Sequence, residues 1–368
     1  MKFLFVEPFY GGSHKSFADG LVGHSRHEIE LMCLPARFWK WRMRGAALEF
    51  FRRLTEPHKF HGIIATNLMS SADFKALLGA QCPPMLVYFH ENQLTYPLAP
   101  GQPMDYHYGF TDITSALVAR RVLFNSRSHL NGFLEALPEF IGRMPDVRPN
   151  WTASRIRQKA GVCPPGCHSP AHDAYGPPAR TDPPLIIWNH RWEHDKNPGA
   201  FFDALYAVAD RGIDFRAAIL GQSFANRPPE FDAAANRLSD QIVQFGYAST
   251  HEIYVDWLTR GTVVVSTALQ ENFGISVVEA ASYGCLPLLP ERLSYPEIIP
   301  REFHETVLYR SEGELVEKLA DILLRPDTYE PARKTIAAAM RAFSWQHRIA
   351  DFDAELEALA EPGPGTAR

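Results

Sequence analysis

At 368 residues, 46% of them hydrophobic, the chain exceeds what one core usually organises, so two α/β domains facing a central cleft are the expectation. No stretch of about 18 uninterrupted apolar residues occurs, and the start, MKFLFVEPFYGGSHK, meets glycine and charge too early for a signal peptide, which points to a cytoplasmic protein with no membrane partner. The net charge of −5 hides an asymmetry: residues 1–170 carry 19 Lys+Arg against 13 Asp+Glu, and residues 171–368 carry 18 against 29, so the basic half either meets a polyanion or presents an uneven solvated surface.

Lys2-Phe3-Leu4-Phe5-Val6-Glu7 is an apolar run that stops at Pro8, and Gly11-Gly12-Ser13-His14 leads from it into a helical pattern through Leu21. This predicts strand, glycine turn, helix. Buried-type strands recur at 63–65, 85–89 and 121–124, each followed by a polar turn and a candidate helix, the pattern of a parallel sheet. From Cys163 to Pro184 proline and glycine forbid regular structure and mark a linker. The alternation restarts at 185–188, 217–221, 242–246, 263–266 and 286–289. The expected division is therefore a first domain at 1–165, a linker at 166–184, a second doubly wound domain at 185–345, and a helix and tail at 346–368. The five cysteines are odd in number and mostly sit in apolar runs, so no disulfide framework is expected.

The most informative segment runs from Ser266 to Ala280, where a strand ends, a glycine loop follows and a helix begins, with Glu271 and Glu279 eight positions apart. Backbone N–H groups from Gly274 to Ser276 suit an anion at the helix start. After the strand at 185–188 come Arg191 and Lys196, and cations at a strand's carboxyl end suit a diphosphate. In the first half, Gly11 and Gly12 would let the backbone approach phosphates or merely form a tight turn. His90-Glu91-Asn92-Gln93 follows a buried strand with four polar groups in a row, an arrangement that suits a site. Arg37-Phe38-Trp39-Lys40-Trp41-Arg42-Met43-Arg44 mixes cations with aromatic rings, which fits phosphates and unpaired bases and equally fits an amphipathic helix with core tryptophans. Cys163, Cys167, His168 and His172 have zinc-ligand character, but prolines restrict their loop, and no metal or other cofactor is expected.

The E-x7-E pair between VVVST and ISVVEAASYGCLP, with Gln244-Phe245-Gly246-Tyr247 and Asp256-Trp257-Leu258 before it, resembles the signature of the family-four retaining glycosyltransferases of GT-B fold. In the first half, the blocks FVEPFYGGSHKSFADGL, LPARFWKWRMRGAA, YFHENQLTYP, YGFTDITSALVARRVLFNS and MPDVRP resemble the tRNA-queuosine α-mannosyltransferases over most of residues 1–150. The resemblance implies transfer of mannose from GDP-mannose to queuosine in an aspartate tRNA. It implies that Arg191 and Lys196 meet the donor pyrophosphate, that Glu271 reaches sugar hydroxyls and Glu279 ribose hydroxyls, and that His90 faces the transferred sugar. Gly11, Gly12, Tyr247, Asn272, Phe273, Gly274 and Ile275 would complete the donor site. Lys40, Arg42, Arg44, Asn92 and Gln93 would meet the acceptor. A glycan, lipid or small-molecule acceptor, or a non-catalytic nucleotide-sugar-binding protein, remains open from the residues alone.

Overall fold

The computed structural model describes residues 1–97, 101, 104–170, 182–223 and 227–361. The first six strands are β1 (Lys2–Tyr10), β2 (Glu28–Pro35), β3 (Gly62–Thr66), β4 (Met85–Phe89), β5 (Arg121–Phe124) and β6 (Ala160–Val162). They form one parallel sheet in the order β2-β1-β3-β4-β5-β6. Every residue of β3 and β4 is buried, which is why GIIAT and MLVYF show no polar alternation. The strands β2 and β6 escape notice in the sequence: β2 lies at the sheet edge with Glu28 and Glu30 along it, and β6 has three residues.

The second sheet comprises β7 (Leu185–Asn189), β8 (Arg216–Leu220), β9 (Ile242–Phe245), β10 (Val263–Val265), β11 (Leu286–Pro290) and β12 (Leu308–Tyr309), again parallel, in the order β12-β11-β10-β7-β8-β9. In each sheet the order reverses beside the unit's first strand, between β1 and β3 and between β7 and β10. The crevice at the carboxyl ends of such a pair is where doubly wound sheets take ligands. Helices enter this frame through side-chain caps: Ser70, Asp105, Ser126, Thr250 and Ser311 each accept from an N–H of the first turn that follows. The helices Gly12–His24 and Ile275–Ser282 open instead on Gly11 and Gly274, with no side-chain cap.

The chain separates into two compact units, Met1–Gly166 with Trp345–Arg368, and Cys167–Ser344. The helix Trp345–Ala360, expected as an element apart, is part of the first unit, where Trp345, Phe352, Leu356 and Leu359 pack in one cluster with Phe3, Phe5, Phe17 and Tyr88. Two Arg121 nitrogens donate to the Glu355 carboxylate, each at 2.6 Å. The expected linker lies partly, and the expected tail after Glu361 wholly, outside the described residues. Among the described residues no helix is long and apolar enough to cross a membrane.

The Trp345 indole is buried among Phe17, His24 and Phe352. Trp345→Ala is expected to lower the stability of the first unit by about 3–5 kcal/mol, since truncating a buried tryptophan loses transfer energy and leaves a cavity. Denaturant unfolding measures the loss, and hydrogen exchange should show Trp345–Ala360 opening first.

Candidate active site

In the second unit, the loops that leave β7 and β10 are stitched together before any ligand arrives. Leu269 N donates to Asp195 O at 2.8 Å, and Thr267 Oγ1 donates to Lys196 O and Asn197 O, each at 2.9 Å. Lys196 is buried in this seam, with Nζ 3.1 Å from Asp195 Oδ2, 3.4 Å from Glu271 Oε2 and donating to Gln270 O at 2.9 Å. Burial alone would depress the ammonium, but Glu271 and Asp195 outweigh it and raise its pKa above the ordinary lysine value. Burial likewise pushes the Glu271 carboxyl up, and Lys196, His190 and backbone N–H groups reverse this and hold it below the usual range.

Glu271 turns back on its own loop. Its Oε1 accepts from the N–H groups of Asn272 at 3.1 Å, Phe273 at 3.4 Å and Gly274 at 3.0 Å. The anion that meets part of the loop expected to hold a phosphate is thus the side chain of Glu271 itself. Gly274 makes the turn possible, because its φ of +95° is one that side chains rarely adopt and a Cβ would lie 3.1 Å from Tyr295. The Phe273 ring faces the core against Phe343, so that residue offers the loop backbone only.

Glu279 stands on the following helix with a separate set of partners. Its Oε2 accepts from the Tyr254 hydroxyl at 3.2 Å, and burial lifts its carboxyl to about 7. Tyr254 also accepts from Asn189 Nδ2 at 2.9 Å, and the same amide donates to Ser276 O at 2.8 Å. His190 follows, buried and neutral, with burial lowering it to about 4 and its Nδ1 3.3 Å from Ser276 Oγ. Room for that turn depends on Gly221 at the end of β8, where a Cβ would lie 1.9 Å from His190 O. Arg191 points outward beside Glu193 at 3.1 Å, and Tyr247 is 73% exposed. The structure therefore joins Lys196 to Glu271, while Glu279 takes its hydrogen bond from Tyr254 and Arg191 stands beside Glu193. Sequence reasoning missed Asn189, His190 and Tyr254, although the first two are polar residues directly after a buried strand.

The first unit gathers a second polar group at the carboxyl ends of β1, β3, β4 and β5. Glu7 is fully buried inside β1, with Oε1 accepting from Phe9 N at 2.8 Å and Oε2 3.3 Å from His14 Nδ1. The His14 and His90 rings lie 4.2 Å apart. The His90 peptide is fixed on both sides: its N–H donates to Asn67 Oδ1 at 3.2 Å, and its carbonyl accepts from Asn125 Nδ2 at 2.9 Å. Burial, with His14 and His129 as like charges, holds the His90 imidazole neutral, well below the ordinary histidine value. Gly11 packs where a Cβ would lie 2.4 Å from that of Ala36, and Gly12 starts the helix with φ +52°. The carboxylate within an apolar strand was the signal for Glu7 that sequence reasoning passed over.

Of the acceptor residues expected around position 92, the Asn92 side chain is committed to the fold and Gln93 is held by its backbone. Asn92 Oδ1 accepts from Leu94 N and Thr95 N, and its Nδ2 donates to Thr95 Oγ1. The Gln93 N–H donates to Asp112 Oδ2 at 2.7 Å, and Asp112 is a buried carboxyl that desolvation raises well above its usual value. The helix Trp39–Arg53 instead leaves its first turn open. Met43, Ala46, Ala47 and Phe50 face the core, whereas Phe38 is 69% and Trp41 78% exposed, so Trp41 is not a core residue. Lys40 and Arg44 are exposed, Arg42 is half-buried, and among the described residues none of the three makes an ion pair.

Among the described residues, Glu7, His14 and His90 are the group that places three metal-ligand-type atoms within 4.8 Å of one another. One carboxylate and two imidazoles would suit a divalent transition metal, but Glu7 and His14 already satisfy each other as a pair. Cys163 and Cys167 are buried thiols whose pKa values rise with burial, and His172 lies outside the described residues.

Comparison with known proteins matches residues 2–167 to the family described as "tRNA-queuosine alpha-mannosyltransferase N-terminal" and residues 176–341 to "Glycosyl transferases group 1". A Drosophila melanogaster protein named tRNA-queuosine alpha-mannosyltransferase is 36% identical over 345 residues, covering 90% of this chain and 89% of that one. A GDP-mannose-dependent alpha-(1-6)-phosphatidylinositol dimannoside mannosyltransferase of Mycobacterium tuberculosis is 23% identical over 48% of this chain and 44% of that one. The structure of sucrose-phosphate synthase from Thermosynechococcus elongatus aligns with a TM-score of 0.73 at 14% identity, over 98% of this chain and 99% of that one, a likeness of fold.

Two outcomes follow from the charges of the second unit. Lys196→Ala leaves Asp195 and Glu271 buried without their cation and should cost about 3–5 kcal/mol of stability, whereas the exposed Arg191→Ala should stay within about 0.5 kcal/mol; chemical denaturation separates them. Glu279, with its folded value at about 7 against an ordinary value near 4.3, keeps a proton that the unfolded chain releases. Its contribution to stability therefore falls as pH rises from about 4.3 to 7. Glu279→Gln should flatten the pH–stability profile in that window.

Proposed function

The chain belongs to the tRNA-queuosine α-mannosyltransferase family, and from that premise we propose that it moves mannose from GDP-mannose to queuosine in an aspartate tRNA. The observation that carries this reading is the 36% identity spread over nine-tenths of the chain, both units included. The GDP-mannose dependence of the mycobacterial relative supports the choice of donor.

The chemistry accounts for the residues of the second unit. As the anomeric C–O bond breaks, its electron pair moves onto the leaving diphosphate. A cation already desolvated and held in place stabilises that charge without reorganising. Lys196 meets this description, with the half-exposed Arg191 beside Glu193 as a second cation. Glu271 is a hydrogen-bond acceptor suited to sugar hydroxyls and Glu279 one suited to the ribose, Asn272 to Ile275 follow along the same loop, and the exposed Tyr247 is a further donor-side candidate. An α-mannoside formed from an α-linked donor retains configuration. We assign no covalent nucleophile: the acceptor hydroxyl attacks from the leaving group's own face and passes its proton to a departing phosphate oxygen. His90, neutral and with its peptide clamped, fits a positioning contact to the sugar. On the acceptor side, Lys40, Arg42 and Arg44 with Phe38 and Trp41 fit an RNA, whose phosphates meet cations and whose unpaired bases stack on rings.

Incubation with a panel of nucleotide sugars and total tRNA, followed by nucleoside mass spectrometry, should show a hexose added to queuosine from GDP-mannose. No transfer to queuosine from any donor would favour a glycan or small-molecule acceptor. Arg191→Ala should slow transfer by about 2–4 kcal/mol of lost leaving-group stabilisation. Replacing Lys40, Arg42 and Arg44 by Ala should weaken tRNA binding, make its salt dependence shallower and leave GDP-mannose affinity unchanged. An unaltered salt slope would remove this helix from the RNA contact.

A further inference from the structure

The first unit carries a second basic surface at the amino-terminal end of its sheet, the end opposite His90. An open pocket of about 540 Å³ lies where β4, β5 and β6 begin, lined by Lys75, Arg120, Arg155 and Lys159 together with Pro83 and Gln158, and by no carboxylate. Two of the cations are anchored on one helix end. Lys75 Nζ donates to Val118 O at 2.9 Å, and Lys159 Nζ donates to Leu117 O and Ala119 O.

A helix carboxyl end carries only about half a negative charge, so four cations exceed what Tyr106–Val118 can balance. Among the described residues, none of the four makes an ion pair with a carboxylate. The crowding registers on Lys159, whose amine is lowered to about 8 by burial and by the neighbouring charges of Arg155 and Lys75. The cavity is thus built for an anion that the chain itself does not supply.

A second observation bears on what kind of anion. Arg155 lies on the helix Trp151–Arg157, and Trp151, 60% exposed, is four positions before it on the same helix face. A cation and an open indole side by side suit a phosphodiester with a neighbouring base better than a small free anion. Resting on the reading that the acceptor is a tRNA, we propose that this pocket holds backbone phosphates of that tRNA through Arg120, Arg155, Lys75 and Lys159, with Trp151 stacking on an unpaired base. A strand of five residues spans about 17 Å, so such an RNA touches the protein well away from the end of the sheet where His90 stands.

The test is tRNA binding by the full chain as a function of salt. Among the described residues the Arg120 and Arg155 guanidinium groups make no hydrogen bond or ion pair, so the double variant Arg120→Gln, Arg155→Gln is expected to fold and to bind GDP-mannose as the wild type does. Its tRNA affinity should fall roughly tenfold at physiological salt, and the slope of log K against log salt should decrease by about 1.4–1.8, the value for two lost phosphate contacts. Trp151→Ala should weaken binding without changing the slope. Arg211→Gln, Arg237→Gln in the second unit, which removes two charges elsewhere, should leave both quantities near wild type. A wild-type slope and affinity in the pocket variant would overturn the proposal, as would failure of the wild type to bind tRNA. Tight binding of inorganic phosphate or pyrophosphate that the variant loses while keeping its tRNA affinity would overturn it too, in favour of a small-anion site. Mass spectrometry of queuosine reads the transfer reaction separately: tRNA binding without transfer defeats the proposed function and leaves the slope to decide the pocket.

Discussion

A buried ammonium must stay charged at Lys196, and the rest of the second unit's site is arranged around that requirement. Desolvation of a lysine in this position favours the neutral amine. Two carboxylates reverse the preference, Asp195 from the adjoining residue and Glu271 from the loop beyond β10. The second carboxylate reaches it where the two loops are tied by hydrogen bonds to backbone carbonyls, from Leu269 N to Asp195 O and from the Thr267 hydroxyl to Lys196 O. The cation thus links the two sides of the crevice where the strand order reverses. A charge held this way has its solvent shell replaced by fixed partners, which is the feature on which the proposed role of Lys196 rests.

The first unit solves the same problem of polar groups at strand ends by a different route. No lysine is buried at its site; instead the peptide of His90 is gripped by two asparagine side chains from the turns after β3 and β5. The imidazole is kept neutral by burial and by its histidine neighbours. Glu7 and His14 stand beside it as a paired acid and base. The first unit thus sets a neutral imidazole on a clamped backbone, where the second sets a buried ammonium between two carboxylates. The acidic balance of the second half, with 29 Asp+Glu in residues 171–368, reaches into this site as well, where Asp195 and Glu271 flank the buried ammonium of Lys196.

Family membership also explains why a chain of net charge −5 can take a nucleic acid as substrate. The first half alone is basic, and within it the open cations collect on the helix Trp39–Arg53 and at the amino ends of β4 to β6. In each place an exposed tryptophan accompanies them, Trp41 in one and Trp151 in the other. On the proposed function, such local patches rather than the sign of the whole chain are where RNA phosphates would be met.

Much of this was legible in the sequence. Continuous apolar runs such as MLVYF and VVV, alternating with helical patterns, read as buried parallel strands, so the two doubly wound sheets, and the positions of Arg191, Lys196, Glu271 and His90 in the loops after strands, followed from local pattern. Edge strands β2, β6 and β12 did not, because half-exposed or very short strands lack that pattern. Only tertiary structure decided the partners. Glu271 and Lys196 are 75 positions apart, and nothing in spacing says that the carboxylate would fold onto its own loop, that Glu279 would answer to Tyr254, or that Asn92 would be consumed by its turn. Nor could composition show that the helix Trp345–Ala360 returns to the first unit, since its apolar face would fit any open core. Which core it meets depends on the shape left by Phe3, Phe17 and Tyr88, and that shape exists only once the sheet has formed.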